Sequence, residues 1–303
     1  MPCLFLMSGA VAYAWAASRR WCAIIGLLAA GLALTGCGTV RLAYNNAPEL
    51  THWWLDSFLD LDSPQSARLR SDLNALQTWH RKEELPAVAE LLKTLQAAAP
   101  QHVAAEQMCL WSRALEGRFQ AVLERATPTA IAIGPTLSNE QLDHLARAWD
   151  KRNGVWREEW LDGTPQERLD RRVKNAIERA EGFYGRLSDS QKTLIRSQLE
   201  NSPFDPATQY KEVVRRQKDA LQTLRSLKAG APGEAQTQAD MRALLMRSLQ
   251  SPDAAFVQYT ERARSHFCGF AAELHNTTSA AQRVKLQQTL QGYEGDVRAL
   301  MQR

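Results

Sequence analysis

The 303-residue chain carries none of the short patterns that mark common catalytic centres. It has no H-E-x-x-H zinc site, no G-x-S-x-G nucleophile elbow, no C-x-x-C pair, no phosphate-binding loop and no dinucleotide glycine pattern. Its six histidines (52, 80, 102, 144, 266 and 275) lack the spacing to carboxylates that a metal needs, and only His266 and Cys268 lie close. No catalytic, cofactor or metal residue is therefore expected. Charge of one sign is lacking too. With 37 Lys+Arg against 33 Asp+Glu the net charge is +4, too weak a field to steer a polyanion, so nucleic acid is not an expected partner. Beyond residue 36 no apolar run approaches the roughly 20 residues that cross a bilayer, and no alternating pattern survives as a strand.

What is present begins with an address. Arg19 and Arg20 precede an apolar run from Trp21 to Ala33, too short for a comfortable transmembrane helix and read as a signal peptide. The run closes on Leu34-Thr35-Gly36-Cys37, which resembles the bacterial lipobox at every position. The resemblance implies that the Cys37 thiol receives a diacylglyceryl group and becomes the mature N-terminus. Residues 1–36 are then a lipoprotein signal peptide, 37–45 a lipid-anchored linker and 46–303 a helical domain. The alternative is an ordinary secretory signal cut between Ala33 and Gly36. Gly38, where sorting in enteric bacteria would place Asp to retain a protein at the inner membrane, points to the outer membrane with the body facing the periplasm. Several acyl chains give stable anchoring where one does not.

Five cysteines become three after cleavage: the anchor, Cys109 and Cys268. Two thiols left in an oxidising compartment are read as a disulfide, separate burial being the other reading. Such a bond would staple the two ends of the fold, and in the chain-entropy model so long a loop contributes about 5 kcal/mol.

The helical reading rests on local signals. Asn46 and Glu49 are placed to form a capping box around Pro48. Leu50, Trp53, Trp54, Phe58 and Leu61 follow at helical spacing. Next to an anchor this stripe fits a membrane surface, but Asp56, Asp60 and Asp62 carry the wrong sign for anionic headgroups, so core packing is expected. Pro86 should kink or restart a helix. ATPTAIAIGP (126–135) reads as a short apolar connector and KAGAPGEA (228–235) as a flexible linker. The cluster Arg168, Arg171, Arg172, Lys174 and Arg179 reads as a salt-bridged solvated face, because Glu167, Asp170 and Glu178 interleave with it. The fold class expected is all-α, an antiparallel multi-helix bundle or stacked helical hairpins of about eight to ten helices.

One pattern recurs four times: Leu61-Asp62-x-x-Gln65, Leu137-Ser138-x-x-Gln141, Leu187-Ser188-x-x-Gln191 and Thr278-Ser279-x-x-Gln282. Each is a capping box in which Ser or Asp accepts from an early helix N–H while Gln returns to the cap's own N–H. Four copies of L-[ST]-x-x-Q in an exported chain resemble the repeat of the small periplasmic helical chaperones of the Spy and CpxP type.

YNNAPELTHWWLDSFLDLDSPQ (44–65), WDKRNGVWREEWLDGTPQERLDRR (149–172) and the C-terminal stretch 275–300, set after a lipobox, are similar to an uncharacterised family of proteobacterial helical lipoproteins. That resemblance implies the lipoprotein assignment and the Cys109/Cys268 pairing, and no activity. The expected function is a non-enzymatic binding, scaffold or chaperone-like protein of the envelope, with protein or cell-wall partners and a membrane anchor. The alternative is an enzyme acting on peptidoglycan through a carboxylate pair, for which Glu158 and Glu159 stand among tryptophans.

Overall fold

The computed structural model of the protein describes residues 37–302, so the signal segment 1–36 lies outside it. The chain divides into two compact units, one ending at Asn45 and one spanning Asn46–Arg303. In the first, helix α1 (Cys37–Asn45) occupies the stretch read as a linker. Gly38 is its only helix-breaking residue, so nothing after it interrupts the turns.

The second unit contains eleven α-helices, somewhat more than the eight to ten expected, and no strand occurs among the described residues. They are α2 (Ala47–Leu59), α3 (Ser63–Trp79), α4 (Leu85–Ala98), α5 (Ala105–Ile133), α6 (Asn139–Trp160), α7 (Pro165–Tyr184), α8 (Asp189–Glu200), α9 (Pro206–Gly230), α10 (Glu234–Leu249), α11 (Ala254–Asn276) and α12 (Ala280–Met301). Two boundaries differ from expectation. Residues 126–133 are not a connector but the last turns of α5, with Pro128 inside the helix. The cost of an interior proline, about 3 kcal/mol, is offset by burying Ile133 and packing Ile131 in the core. Residues 228–230 are still helix, and only 231–233 separate α9 from α10. Leu224 and Leu227 of α9 share a cluster with Met241 and Leu244 of α10, which makes this a tight helical hairpin rather than a flexible linker.

Pro86 is the second residue of α4, directly after a single π turn at His80–Glu84 that joins α3 to α4, so the α-helical pattern is interrupted there while the chain stays helical. The run from Ser63 to Ala98 thereby passes from one apolar cluster, around Leu69, Leu142, Leu224 and Met241, to a second around Ala99, Leu286 and Leu290. A third gathers Leu187, Ile195 and Leu274.

The four Gln-bearing caps do more than start helices. All four boxes form, and their glutamines meet in pairs. Gln141 Nε2 donates to Gln65 Oε1 at 2.7 Å, and Gln65 Nε2 donates back at 3.3 Å. Gln191 and Gln282 exchange the same bonds at 2.9 Å each way. The N-terminus of α3 is thus clasped to that of α6, and the N-terminus of α8 to that of α12. Gln65, Gln141 and Gln191 are buried, where an unmatched amide would be costly.

The Asn46 box, in contrast, does not form. Asn46 sits at φ −98°, ψ 7° rather than in the extended conformation of a cap, and makes no side-chain capping bond. Glu49 instead pairs with Arg70 of α3. The apolar stripe on α2 also needs correction. Leu50, Trp53 and Trp54 are exposed, Trp53 by 71%. The face turned inward is Pro48, His52, Leu55 and Leu59, with His52 Nε2 sharing a 2.7 Å hydrogen bond with Ser66 Oγ. The helix carries two apolar stripes, and the core takes the one that also brings His52 to a partner.

An ionic lock ties α9 to α10. Arg247 grips Asp219 through two bonds of 2.8 and 2.9 Å, while buried Glu212 accepts from Arg215 and Arg216 at 2.7–2.8 Å. Burial pushes the Glu212 carboxyl up, but the hydrogen bonds and charges of the two arginines outweigh it and hold the group down at about 2. Because the folded pKa lies below the ordinary 4.5, this stabilisation is present above about pH 4.5 and is lost as pH falls toward 2. Glu212→Gln is expected to flatten the acid limb of the stability–pH curve by about 1–3 kcal/mol, discounted because the arginines are partly solvated. Urea midpoints of the two proteins measured from pH 7 to pH 2.5 check this.

Candidate functional site

The sequence itself produces a groove in the first apolar cluster. On α5, small residues recur at Ala126 and Ala130, and Gly134 follows in a 3₁₀ turn. A Cβ at Gly134 would stand 2.6 Å from Met241 Cε and 3.3 Å from Leu224 Cδ2, so the glycine leaves room for the ends of these two side chains. The small side chains leave an apolar groove of about 560 Å³. Leu55 and Leu59 of α2, Leu69 and Leu73 of α3, and Leu145 and Trp149 of α6 wall it, with Ala220 and Leu224 of α9 opposite. The floor is core, since Leu69, Ile133, Leu137, Leu145, Leu224 and Met241 are each buried.

Four polar side chains line this groove: Asp72, Thr129, Arg152 and Gln217. Asp72 accepts from Arg68 Nε at 2.8 Å. Gln217 exchanges amide bonds with buried Asn153 at 2.8 and 3.0 Å. Trp54, 56% exposed, and Phe58 stand at the same mouth with their rings 5.1 Å apart.

A second cleft, about 630 Å³, lies between α7 and the start of α9. It gathers Arg168, Arg171, Arg172 and Lys174, the residues expected to form a salt-bridged face. Most are spent differently. Arg168 donates to the carbonyls of Leu161 and Gly163, and Arg171 to that of Asp162. Arg172 stacks 5.0 Å from the Phe204 ring, and burial there lowers its pKa. Asp170 accepts from Arg196 of α8 and from Gln166 of its own helix rather than from the arginines of that helix, and within the cluster only Lys174–Glu178 forms the expected four-residue ion pair, at 4.0 Å. These arginines cap the α6–α7 turn, which leaves little charge for a ligand.

Glu159, Glu200 and Asp205 line the second cleft, but Asp205 is the N-cap of α9, holding the Ala207 and Thr208 amides at 3.1 Å. Its hydrogen bond from the Thr208 hydroxyl pulls it down. Among the described residues the carboxyls displaced from their ordinary value are all displaced downward, by helix-cap hydrogen bonds and by paired arginines.

Of the residues singled out in the sequence, Cys109 of α5 and Cys268 of α11 are joined, with Cα atoms 5.3 Å apart. Cys37 opens α1 by its backbone, and its side chain lies outside the described residues. Sequence reasoning missed the groove. The available signal was the small-residue run 126–134, whose residues at four-step spacing leave one helix face without bulk. Residues 57–250 match the sequence model of DUF6279, a family of unknown function. No curated protein and no solved structure matches the chain.

Proposed function

Because the chain belongs to that family of unknown function, we propose from its own residues that it is a lipid-anchored binding protein of the cell envelope. It is held at the outer membrane through Cys37, faces the periplasm, and has a scaffold or chaperone-like role rather than a chemical one. The groove carries this reading. An open apolar concavity whose only carboxylate already faces an arginine is suited to receiving an apolar partner. The Cys109–Cys268 bond supports an oxidising compartment, and the lipobox supports the anchor.

Labelled palmitate is expected to enter the wild-type protein and not a Cys37→Ser variant, which should also leave the membrane fraction or accumulate uncleaved. Equal labelling of the two would overturn the anchor. A neutral fluorescent naphthylamine should brighten with the wild type and not with Ala130→Trp, which fills the groove. Identical responses would remove the groove as the binding surface.

A further inference from the structure

We propose that the groove beside α5 is a site for a long-chain fatty acid, the methylene chain lying between α3, α5 and α6 and the carboxylate meeting Arg152. The assignment rests on the reading of this groove as a binding site, and the chemistry of its wall narrows the occupant. The wall is almost wholly apolar, and the amide of Gln217 is already matched by Asn153. An extended peptide would bring unsatisfied N–H and C=O groups against leucines, which is costly. A helix satisfies its own backbone, but at about 10–12 Å across a single turn would fill 560 Å³. A methylene chain is thin and brings no polar group to satisfy.

The mouth then selects the head. Its acid, Asp72, is engaged by Arg68, whereas exposed Arg152 forms no ion pair among the described residues. The charge left to meet a ligand is therefore positive, and a guanidinium matches a carboxylate through two parallel hydrogen bonds. Trp54 and Trp149, which line the groove together with Arg152, present an apolar body with a polar tip, as suits the boundary between chain and head.

The test uses the full-length protein in phosphatidylcholine nanodiscs with two photoactivatable C16 probes, palmitate and hexadecanol, and cross-linked peptides mapped by mass spectrometry. Palmitate is expected to label α3, α5 and α6 around the groove. Arg152→Gln, an exposed change that leaves the fold alone, should weaken palmitate labelling about tenfold while hexadecanol labelling stays the same. Ala130→Trp should abolish both. Palmitate labelling no better than hexadecanol, and untouched by Arg152→Gln, would overturn the fatty-acid assignment and leave the groove as a binding site. Stronger competition by a lysophospholipid than by palmitate would overturn it in favour of a phosphate head. Labelling of the groove by neither probe would overturn both the assignment and the reading it rests on.

Discussion

Removing the Cys109–Cys268 bond is expected to cost the protein about 2–5 kcal/mol of stability. The bond closes a loop of 159 residues, for which the chain-entropy model gives about 5 kcal/mol. Two features bring the expectation below that ceiling. The helices it joins are also held by surface ion pairs, Arg113–Glu261 at 2.8 Å and Arg264–Glu116 at 2.9 Å, and a helical chain keeps residual structure when unfolded, so less entropy is released. Cys268 is only 1% exposed. The double Cys109→Ala/Cys268→Ala variant is therefore cleaner than serine, whose hydroxyl would need a buried partner. Urea unfolding of wild type with reductant should fall to the midpoint of the double variant. A wild type that unfolds at the same urea concentration with and without reductant would remove the bond from the stability of the fold. Because the bond sits on the first turns of α5, its loss should loosen α5 and α11 before the groove end, which hydrogen exchange resolves by segment.

The sequence was informative where structure is decided locally. Each capping box needs only residues three apart, and the four glutamine boxes form, although the Asn46 box does not. It misled where two local signals compete. On α2 the aromatic stripe looks like the stronger core face, yet the core takes His52, Leu55 and Leu59 because His52 can bond Ser66 there. At Pro128 a helix-breaking residue competes with the apolar residues that follow it, and burial of Ile133 prevails. The glutamine pairs were not legible, and of the groove only the small-residue face of 126–134 was. Pairs and groove depend on partners 76 and 91 positions apart, or on the absence of bulk where six helices meet, and no window of sequence contains such partners or such a meeting.

The recurrent motif therefore has a consequence for stability that its local reading does not predict. Gln141→Leu is expected to cost about 2–4 kcal/mol, well above the roughly 1 kcal/mol of an ordinary cap. The side chain makes four bonds. Its oxygen accepts from Ser138 N at 2.8 Å and from Gln65 Nε2, and its nitrogen donates to Asp60 O and to Gln65 Oε1 at 2.7 Å each. Leucine fills the volume but satisfies none of these. Gln65 keeps a bond to Thr136 O and to the Asp62 amide, so its loss is partial. Removing both glutamines leaves no half-matched amide. Gln65→Leu/Gln141→Leu should thus cost less than the two single changes added, by about 0.5–3 kcal/mol. The pair Gln191 and Gln282 should show coupling of the same sign, since it exchanges the same bonds and adds Gln191 to Thr277 O and Gln282 to Arg186 O. The two pairs share no bonding partner, and changes combined across them should add. Strict additivity within each pair, measured by urea unfolding of the two double-mutant cycles, would reduce the motif to four independent helix caps.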